Sequence, residues 1–366
     1  MKLSVIVLSY NVRYFLELCL KSVRAATSNI ESEIIVVDNH STDDSCQMVK
    51  TLFPEVVLIE NKENYGFSKG NNIGVAKANG EYLCILNPDT VVAEDTFEKM
   101  FQFAADKEKL GIVGCKFING GGQFLPESKL NIPYVRVALK KMCGNPNEYH
   151  ANHLNPDDVG TVDVLVGAFM FLKRQVFQEV KGFDEDYFMY GEDVDFSYKT
   201  LKAGYNNYYY GQTTIIHFKG ESALNDKHYA RRFYGGIQTF YQKHLKSNMV
   251  FDFVIWAGIK TFYLFSRKQK PKPKNIGHYV FISDKENSAL QTALKKPIQL
   301  QQNTPVTEEN VEVILDANTL SYKSIIAFLE NNGAQNKPIT YKILPPSANF
   351  ILGSDSGFVR GEVVKF

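Results

Sequence analysis

Several groups of residues in this chain have the types and spacing to handle a phosphorylated substrate. Asp89 stands in Asn87-Pro88-Asp89 directly after an apolar run, so its carboxylate is predicted at a strand end, where a hard divalent cation and a diphosphate can share its oxygens. The same tripeptide is a favoured turn composition, which is the plainer reading. Asn87 can hydrogen-bond a ribose. Glu192, Asp193 and Asp195 follow Gly191 at the start of a helical pattern. Acidic residues suit a helix start because they complement its dipole. Adjacent carboxylates there also project in different directions, so that one can serve as a base while its neighbour orients it. His217 closes a late strand-like stretch; it is either a packed histidine or, as a neutral imidazole, part of a mixed oxygen and nitrogen shell suited to Mn2+ or Mg2+. The run NYGFSKGNNIG at 64–74 contributes Asn64, Gly66, Phe67, Lys69 and Asn71, a glycine-rich approach to a helix able to wrap a nucleotide with backbone amides and one lysine, or else a plain loop. Asp38 and Asn39, with Ser9, Tyr10 and Asn11, offer hydrogen bonds to a base or ribose, while Ser41 and Thr42 read as caps of the next helix. Together these are the parts for moving a group off a nucleotide diphosphate: a nucleotide site, positive charge beside the departing diphosphate, and a base for an accepting hydroxyl.

Such residues must be gathered on one edge, and the hydrophobic pattern provides it. Short β-branched runs, LSVIVLSY at 3–10, EIIVVDN at 33–39, VVLIE at 56–60 and EYLCILN at 81–87, alternate with helical patterns, which predicts βα units around a mostly parallel sheet. In such sheets ligands bind beyond the carboxyl ends of the strands. SYN at 9–11, DNHSTD at 38–43 and NPD at 87–89 all fall at that edge. The segment 111–160, rich in Gly, Asn and Pro, reads as a long irregular loop beside the site, suited to acceptor recognition. VDVLVGAFMFL at 162–172 is strand-like, the acidic cluster opens a helix ending at Gly204, a strand then carries His217 at its end, and 227–246 has the pattern of an amphipathic helix.

At 366 residues the chain exceeds the usual size of one domain, and it divides into a catalytic domain at 1–246, an apolar and basic segment at 247–275 and a small α/β unit at 276–366. A formal net charge of +1 argues against a nucleic-acid-binding surface. Cys19, Cys46, Cys84, Cys115 and Cys143 are scattered without a CxxC pair, as expected of reduced thiols. The amino terminus runs into an apolar strand from Leu3 without the charged region, apolar stretch and cleavage site of a secretory signal, so a cytoplasmic reaction is expected. VFDFVIWAGIKTFYLF at 250–265 contains Asp252 and Lys260 and is shorter than the ~20 apolar residues that span a bilayer. Followed by Arg267, Lys268, Lys270, Lys272 and Lys274, it reads as an interfacial helix with a polybasic tail; a packed helix and a solvated linker is the alternative. The last unit restarts at HYVFIS and has ISDKENS in place of a glycine-rich phosphate loop, so no nucleotide is assigned to it.

In combination, SVIVLSYN at 4–11, IIVVDNHSTD at 34–43, ENYGFSKGNNIG at 63–74, ILNPDT at 85–90, VGAFMFLKR at 166–174, GFDEDYFMYGEDVDFSYKTLKAGY at 182–205 and IIHFKGES at 215–222 resemble family 2 of the inverting glycosyltransferases, in the branch that includes bacterial rhamnosyltransferase-like enzymes. The resemblance implies a GT-A fold, an α/β Rossmann-like domain with a mostly parallel sheet, to which the small C-terminal α/β unit is appended. It implies that Asp38 reads the base, that Asp89 is the metal-binding end of a degenerate DxD motif whose first position is Asn87, that Asp193 of the Glu192–Asp193 pair is the catalytic base, and that His217 helps hold the metal or the diphosphate. On this reading a sugar moves from a UDP- or dTDP-sugar donor to the hydroxyl of a glycan or lipid-linked acceptor, with Mn2+ or Mg2+, in an enzyme peripheral on the inner face of a bacterial plasma membrane. A sugar nucleotidyltransferase would carry a glycine-rich phosphate loop where SYNVRYF stands. A non-catalytic sugar-nucleotide binder would have lost the base or metal residue, and Asp89, Asp193 and His217 are all present.

Overall fold

The computed structural model describes residues 1–134, 136–137, 140, 145, 147–219, 229–245, 276–302, 310–333, 339–354 and 361–366. The apolar run at 250–265, its basic tail and Cys143 lie outside these residues.

The chain opens with β1 (Leu3–Ser9), α1 (Arg13–Ala26), β2 (Ser32–Asp38), α2 (Ser45–Leu52), β3 (Val57–Glu60), α3 (Gly66–Val75) and β4 (Tyr82–Leu86). It continues through β5 (Thr90–Val91), α4 (Thr96–Ala105), β6 (Leu110–Ile118), β7 (Val159–Thr161), β8 (Phe169–Lys173), α5 (Arg174–Glu179), α6 (Glu192–Lys202), β9 (Asn206–His217) and α7 (Tyr229–His244). The described strands form a mixed sheet in the order β3-β2-β1-β4-β8-β6-β9-β5, with β7 paired to β9. β3, β2, β1 and β4 are mutually parallel, β8 runs antiparallel to β4 and β6, and the short β5 runs antiparallel to β9 at the edge.

Alternation along β1 explains the layering. Leu3, Val5 and Val7 face a core shared with Leu16, Leu20 and Val23 of α1, Met48 of α2 and Phe97 of α4. Ile6 faces the opposite core with Ile35, Val37, Val75 of α3, Phe177 of α5 and Phe196 of α6. Helices therefore cover both faces, and the loops after the strands are left at one edge.

Two expectations need correction. The segment from 111 is not irregular at its start, because β6 is a nine-residue strand buried throughout. Its glycines serve close packing: a Cβ on Gly111 would stand 2.7 Å from Asn207 Oδ1, and one on Gly114 would stand 2.5 Å from Leu165 Cδ2. The stretch 162–172 becomes a strand only from Phe169; before that it holds a single bridge, Leu130 to Val164.

The C-terminal residues build a second sheet from β10 (His278–Ile282), α8 (Ser288–Ala293), β11 (Ile298–Gln301), β12 (Val311–Asp316), α9 (Tyr322–Gly333), β13 (Thr340–Leu344), β14 (Phe350–Gly353) and β15 (Glu362–Lys365). Its order is β11-β10-β12-β13-β14-β15, with the first three pairings parallel and the last two antiparallel. One apolar core joins the two sheets: Phe15, Leu18, Val91, Ala93, Ile118, Ile216 and Phe218 cluster with Val280, Val313, Leu315, Ile325 and Leu329.

Candidate active site

The parallel register sets Ser9 at the end of β1 beside Asp38 at the end of β2. Asp38 is buried; its Oδ2 accepts from the Ser41 backbone N–H at 2.7 Å, while Oδ1 has no partner among the described residues. A buried carboxylate oxygen without a donor is costly, and the N–H of a base edge is the kind of group that would complete it. Asn39 ties the end of β2 to the start of α3, donating to the Gly66 carbonyl at 2.9 Å and accepting from Asn61 Nδ2 at 2.8 Å. Asn61 was missed in the sequence, although it directly follows β3 at the same edge.

Asn11 takes up a left-handed backbone conformation with φ 55°. Its N–H donates to Ser41 Oγ at 2.9 Å, and its Oδ1 accepts from the Thr42 N–H at 2.7 Å. Ser41 and Thr42 are therefore not helix caps, as expected from sequence, but cross-links between the loops after β1 and β2. Helix α2 begins later, after Asp44, with the Ser45 N–H on Asp43 Oδ1 at 3.1 Å. Tyr10, beside them, is one of the exposed aromatic residues.

In the glycine-rich run, Asn64 Oδ1 accepts from the Gly66 N–H at 2.9 Å. Gly66 has φ +76°, and a Cβ there would fall on the Phe188 carbonyl, to which the Phe67 N–H donates at 2.7 Å. The Phe67 ring packs edge-on against Phe183, and Asn71, fully buried, donates to the Phe67 carbonyl at 3.0 Å. Lys69 Nζ lies 4.0 Å above the Tyr65 ring. Asn72, not singled out in the sequence, binds the Phe183 backbone on both its N–H and carbonyl, so α3 carries the segment that leads to the acidic cluster.

Asp89 is only 2% exposed, and its Oδ1 has no hydrogen-bond partner among the described residues. β5 pairs Thr90 with His217, and the Phe218 N–H donates to the Asp89 carbonyl at 3.0 Å, so His217 Nε2 lies 3.5 Å from Asp89 Oδ1. His217 Nδ1 is buried and likewise has no partner there. Two orphaned buried ligand atoms of oxygen and nitrogen character fit a divalent cation. Among the described residues no group of three or more His, Cys, Asp or Glu side chains stands ready to cage a metal. The set therefore suits an ion that takes one or two protein ligands and completes its shell with phosphate oxygens. Asn87, half-buried, holds the turn before Asp89 through its carbonyl, which accepts from Thr90 Oγ1 at 2.8 Å. Lys219, two residues past His217, was missed in the sequence; its Nζ is 2.5 Å from Glu127 Oε1. Burial works to raise the Glu127 carboxyl, but Lys219 and then His217 outweigh it and leave it below the usual carboxylate range.

The acidic cluster enters from two successive left-handed residues, Tyr190 (φ 72°) and Gly191 (φ 92°). A Cβ on Gly191 would approach the Gly236 backbone of α7 to 3.0 Å, so only glycine permits this approach. Glu192 is 6% exposed, and burial, followed by the charge of Asp193, pushes its carboxyl well above 4.5. Asp193 is less buried, and its Oδ1 accepts from the Val194 N–H at 2.9 Å. Asp195 is fully buried and structural, with His244 Nε2 at 2.6 Å and Lys199 Nζ at 3.1 Å, which fixes α7 against α6. The cluster thus separates into a buried carboxyl pushed above its usual range, a partly exposed one and a buried one held against His244 and Lys199.

Residues 4–181 match the family model described as Glycosyl transferase family 2. Over 242 residues the chain is 26% identical to the N-acetylglucosaminyl-diphospho-decaprenol L-rhamnosyltransferase of Mycobacterium tuberculosis, covering 61% of this chain and 78% of that one. It is 27% identical over 201 residues to the rhamnosyltransferase WbbL of Escherichia coli K12, covering 51% and 75%. A solved structure of mannosyltransferase PcManGT from Pyrobaculum calidifontis, in complex with GDP-Man and Mn2+, superposes with a TM-score of 0.48 at 19% identity, covering 72% of this chain and 70% of that one. Among the described residues no helix is long and apolar enough to cross a membrane.

Proposed function

We propose that the chain belongs to glycosyl transferase family 2, whose model matches residues 4–181, and that it is an inverting hexosyltransferase using a UDP- or dTDP-sugar to extend a glycan or lipid-linked acceptor. The observation that carries this reading is the division of labour within Glu192, Asp193 and Asp195. Asp193 is the member of the cluster accessible enough to take a proton from an acceptor hydroxyl, whereas Glu192 is buried with its carboxyl pushed up and Asp195 is buried against His244 and Lys199. The acceptor oxygen bonds to the anomeric carbon as its proton passes to Asp193. The bond from that carbon to the diphosphate oxygen breaks, and the diphosphate leaves with the electron pair. Attack opposite the leaving group inverts the anomeric centre. Asp38 orients the donor through its base, with Ser9, Asn11 and Asn39 shaping the pocket around it. A divalent cation, Mn2+ or Mg2+, held by Asp89 and His217 would supply the charge that neutralises the departing diphosphate. The name of the Mycobacterium tuberculosis relative, which acts on N-acetylglucosaminyl-diphospho-decaprenol, supports a lipid-linked acceptor; a place on the inner face of the plasma membrane is part of the same proposal.

A thermal-shift screen of nucleotide sugars with and without Mn2+ identifies the donor, because only a ligand of the folded state raises the midpoint. With that donor, Asp193→Asn is expected to lower transfer by about 10²-fold or more with donor binding intact, and NMR of the product is expected to show inversion. Near-normal turnover of the variant refutes the base assignment, and a retained configuration refutes the single displacement.

A further inference from the structure

β5 is two residues long and, among the described residues, lies at the edge of its sheet with one strand neighbour, β9. A strand that short does not hold its own position, yet Asp89 depends on it. We propose that the C-terminal unit is a clamp on this segment, and that Glu94 is the positioning residue through which α9 sets the affinity of Asp89 and His217 for a divalent cation. This rests on the reading of those two residues as metal ligands.

The contacts run from both faces of the segment. Glu94 Oε1 accepts from the Tyr322 N–H at 2.7 Å, and Oε2 accepts from the Lys323 N–H at 2.9 Å, so one carboxylate takes the first two N–H groups of α9. The third, Ser324, is satisfied within the helix start by Ser321 Oγ at 3.1 Å. A carboxylate at a helix amino terminus gains from the dipole as well as from charge-assisted hydrogen bonds. Asp95 adds an ion pair to Lys323 at 2.6 Å. Between Asp89 and Glu94, Val91 and Ala93 are buried in the core that the two sheets share, as are Ile216 and Phe218 on either side of His217. Phe15 closes edge-on on Phe218 with centroids 5.1 Å apart, and Tyr14 does the same on Phe350 at 4.7 Å. Further along, Lys116 pairs with Glu330, and Gly122 packs against the Leu329 carbonyl. The metal-bearing turn is therefore pinned on one side by the Phe218 N–H and on the other by α9.

The test uses the full chain with Glu94→Ala, Glu94→Gln, Asp89→Ala and, as a control, Leu290→Ala. Leu290 lies in a separate core on the other side of the C-terminal sheet, with Phe281, Ile314 and Ile351, so its loss loosens that unit away from α9's contact with Glu94. Mn2+ is titrated calorimetrically in the presence of UDP and, separately, dTDP, and amide hydrogen exchange is followed over 89–94 and 216–218. Glu94→Ala is expected to weaken Mn2+ binding by about tenfold and Glu94→Gln by less, since the amide oxygen keeps one acceptor. Exchange should rise over both peptides in these variants, whereas Leu290→Ala should leave both readouts near the parent. Parent-like Mn2+ affinity and exchange in Glu94→Ala, or an equal loss in Leu290→Ala, overturns the clamp. Parent-like Mn2+ binding in Asp89→Ala overturns the metal reading instead, and exchange alone then decides whether Glu94 holds the segment.

Discussion

Replacing Glu192 by Gln tests the separation of roles in the acidic cluster. Glu192 is 6% exposed at the amino end of α6, its Oε2 finds no partner among the described residues, and burial with the neighbouring Asp193 charge raises its carboxyl well above 4.5. The folded protein therefore keeps a proton that the unfolded chain gives up near that value. Between the two values the native state binds more protons than the unfolded state, so stability falls as pH rises, by about 1.4 kcal/mol per pH unit, until the buried group ionises in turn. The stabilising contribution is complete below the unfolded value and is lost as pH rises toward the raised folded value. Glutamine has the same shape, stays neutral, and removes this slope. Urea unfolding of parent and variant at rising pH above about 5 should show Glu192→Gln gaining on the parent, by at most about 1.4 kcal/mol for each unit. Transfer by the variant should stay within about tenfold of the parent, since an amide can replace a neutral carboxyl beside the base. Parallel stability curves would mean that Glu192 is ionised when folded, and the assignment of Asp193 as the base would lose its electrostatic ground.

Two further outcomes bear on the approach to the site and on its location. Gly66→Ala should destabilise by about 2 kcal/mol, because φ is +76° and the new Cβ falls on the Phe188 carbonyl; an unchanged melting temperature would show that the loop before α6 does not depend on that contact. Neutralising Arg267, Lys268, Lys270, Lys272 and Lys274 together should abolish salt-sensitive sedimentation with anionic liposomes, each charge contributing ~1 kcal/mol; a parent chain that stays in the supernatant at low salt would remove the membrane from the reading.

The strand edge to which nucleotide contacts are proposed was legible because it is local. LSVIVLS and EIIVVD alternate in the way a sheet covered on both faces requires, and Ser9, Asp38 and Asp89 fall where those strands stop. The end of α6 was legible for the same reason, since Gly204 with φ +88° is the left-handed residue that stops a helix. β6 was not, because Gly111 and Gly114 carry the composition of a loop while their use is to admit Asn207 and Leu165. Ser41 and Thr42 looked like caps because a cap is the nearest use for a hydroxyl before a helix; the competing partner, Asn11, lies 30 and 31 residues away. The hold of Glu94 on Tyr322 crosses 228 residues, a distance at which no periodicity reports a contact.

The core shared by the two sheets also imposes an order of assembly. Val91, Ile118 and Ile216 leave the ribosome well before Val313, Leu315 and Leu329, which cover them. Until those later residues emerge, the first sheet has the edge after β1 and β2 in place and an apolar face open to water, the condition under which nascent chains aggregate or recruit chaperones. A chain interrupted before β12 is thus expected to pair β1 with β2 while lacking the wall behind Asp89, so that, on the proposed roles, donor recognition would be assembled before the residues proposed to hold the cation are supported.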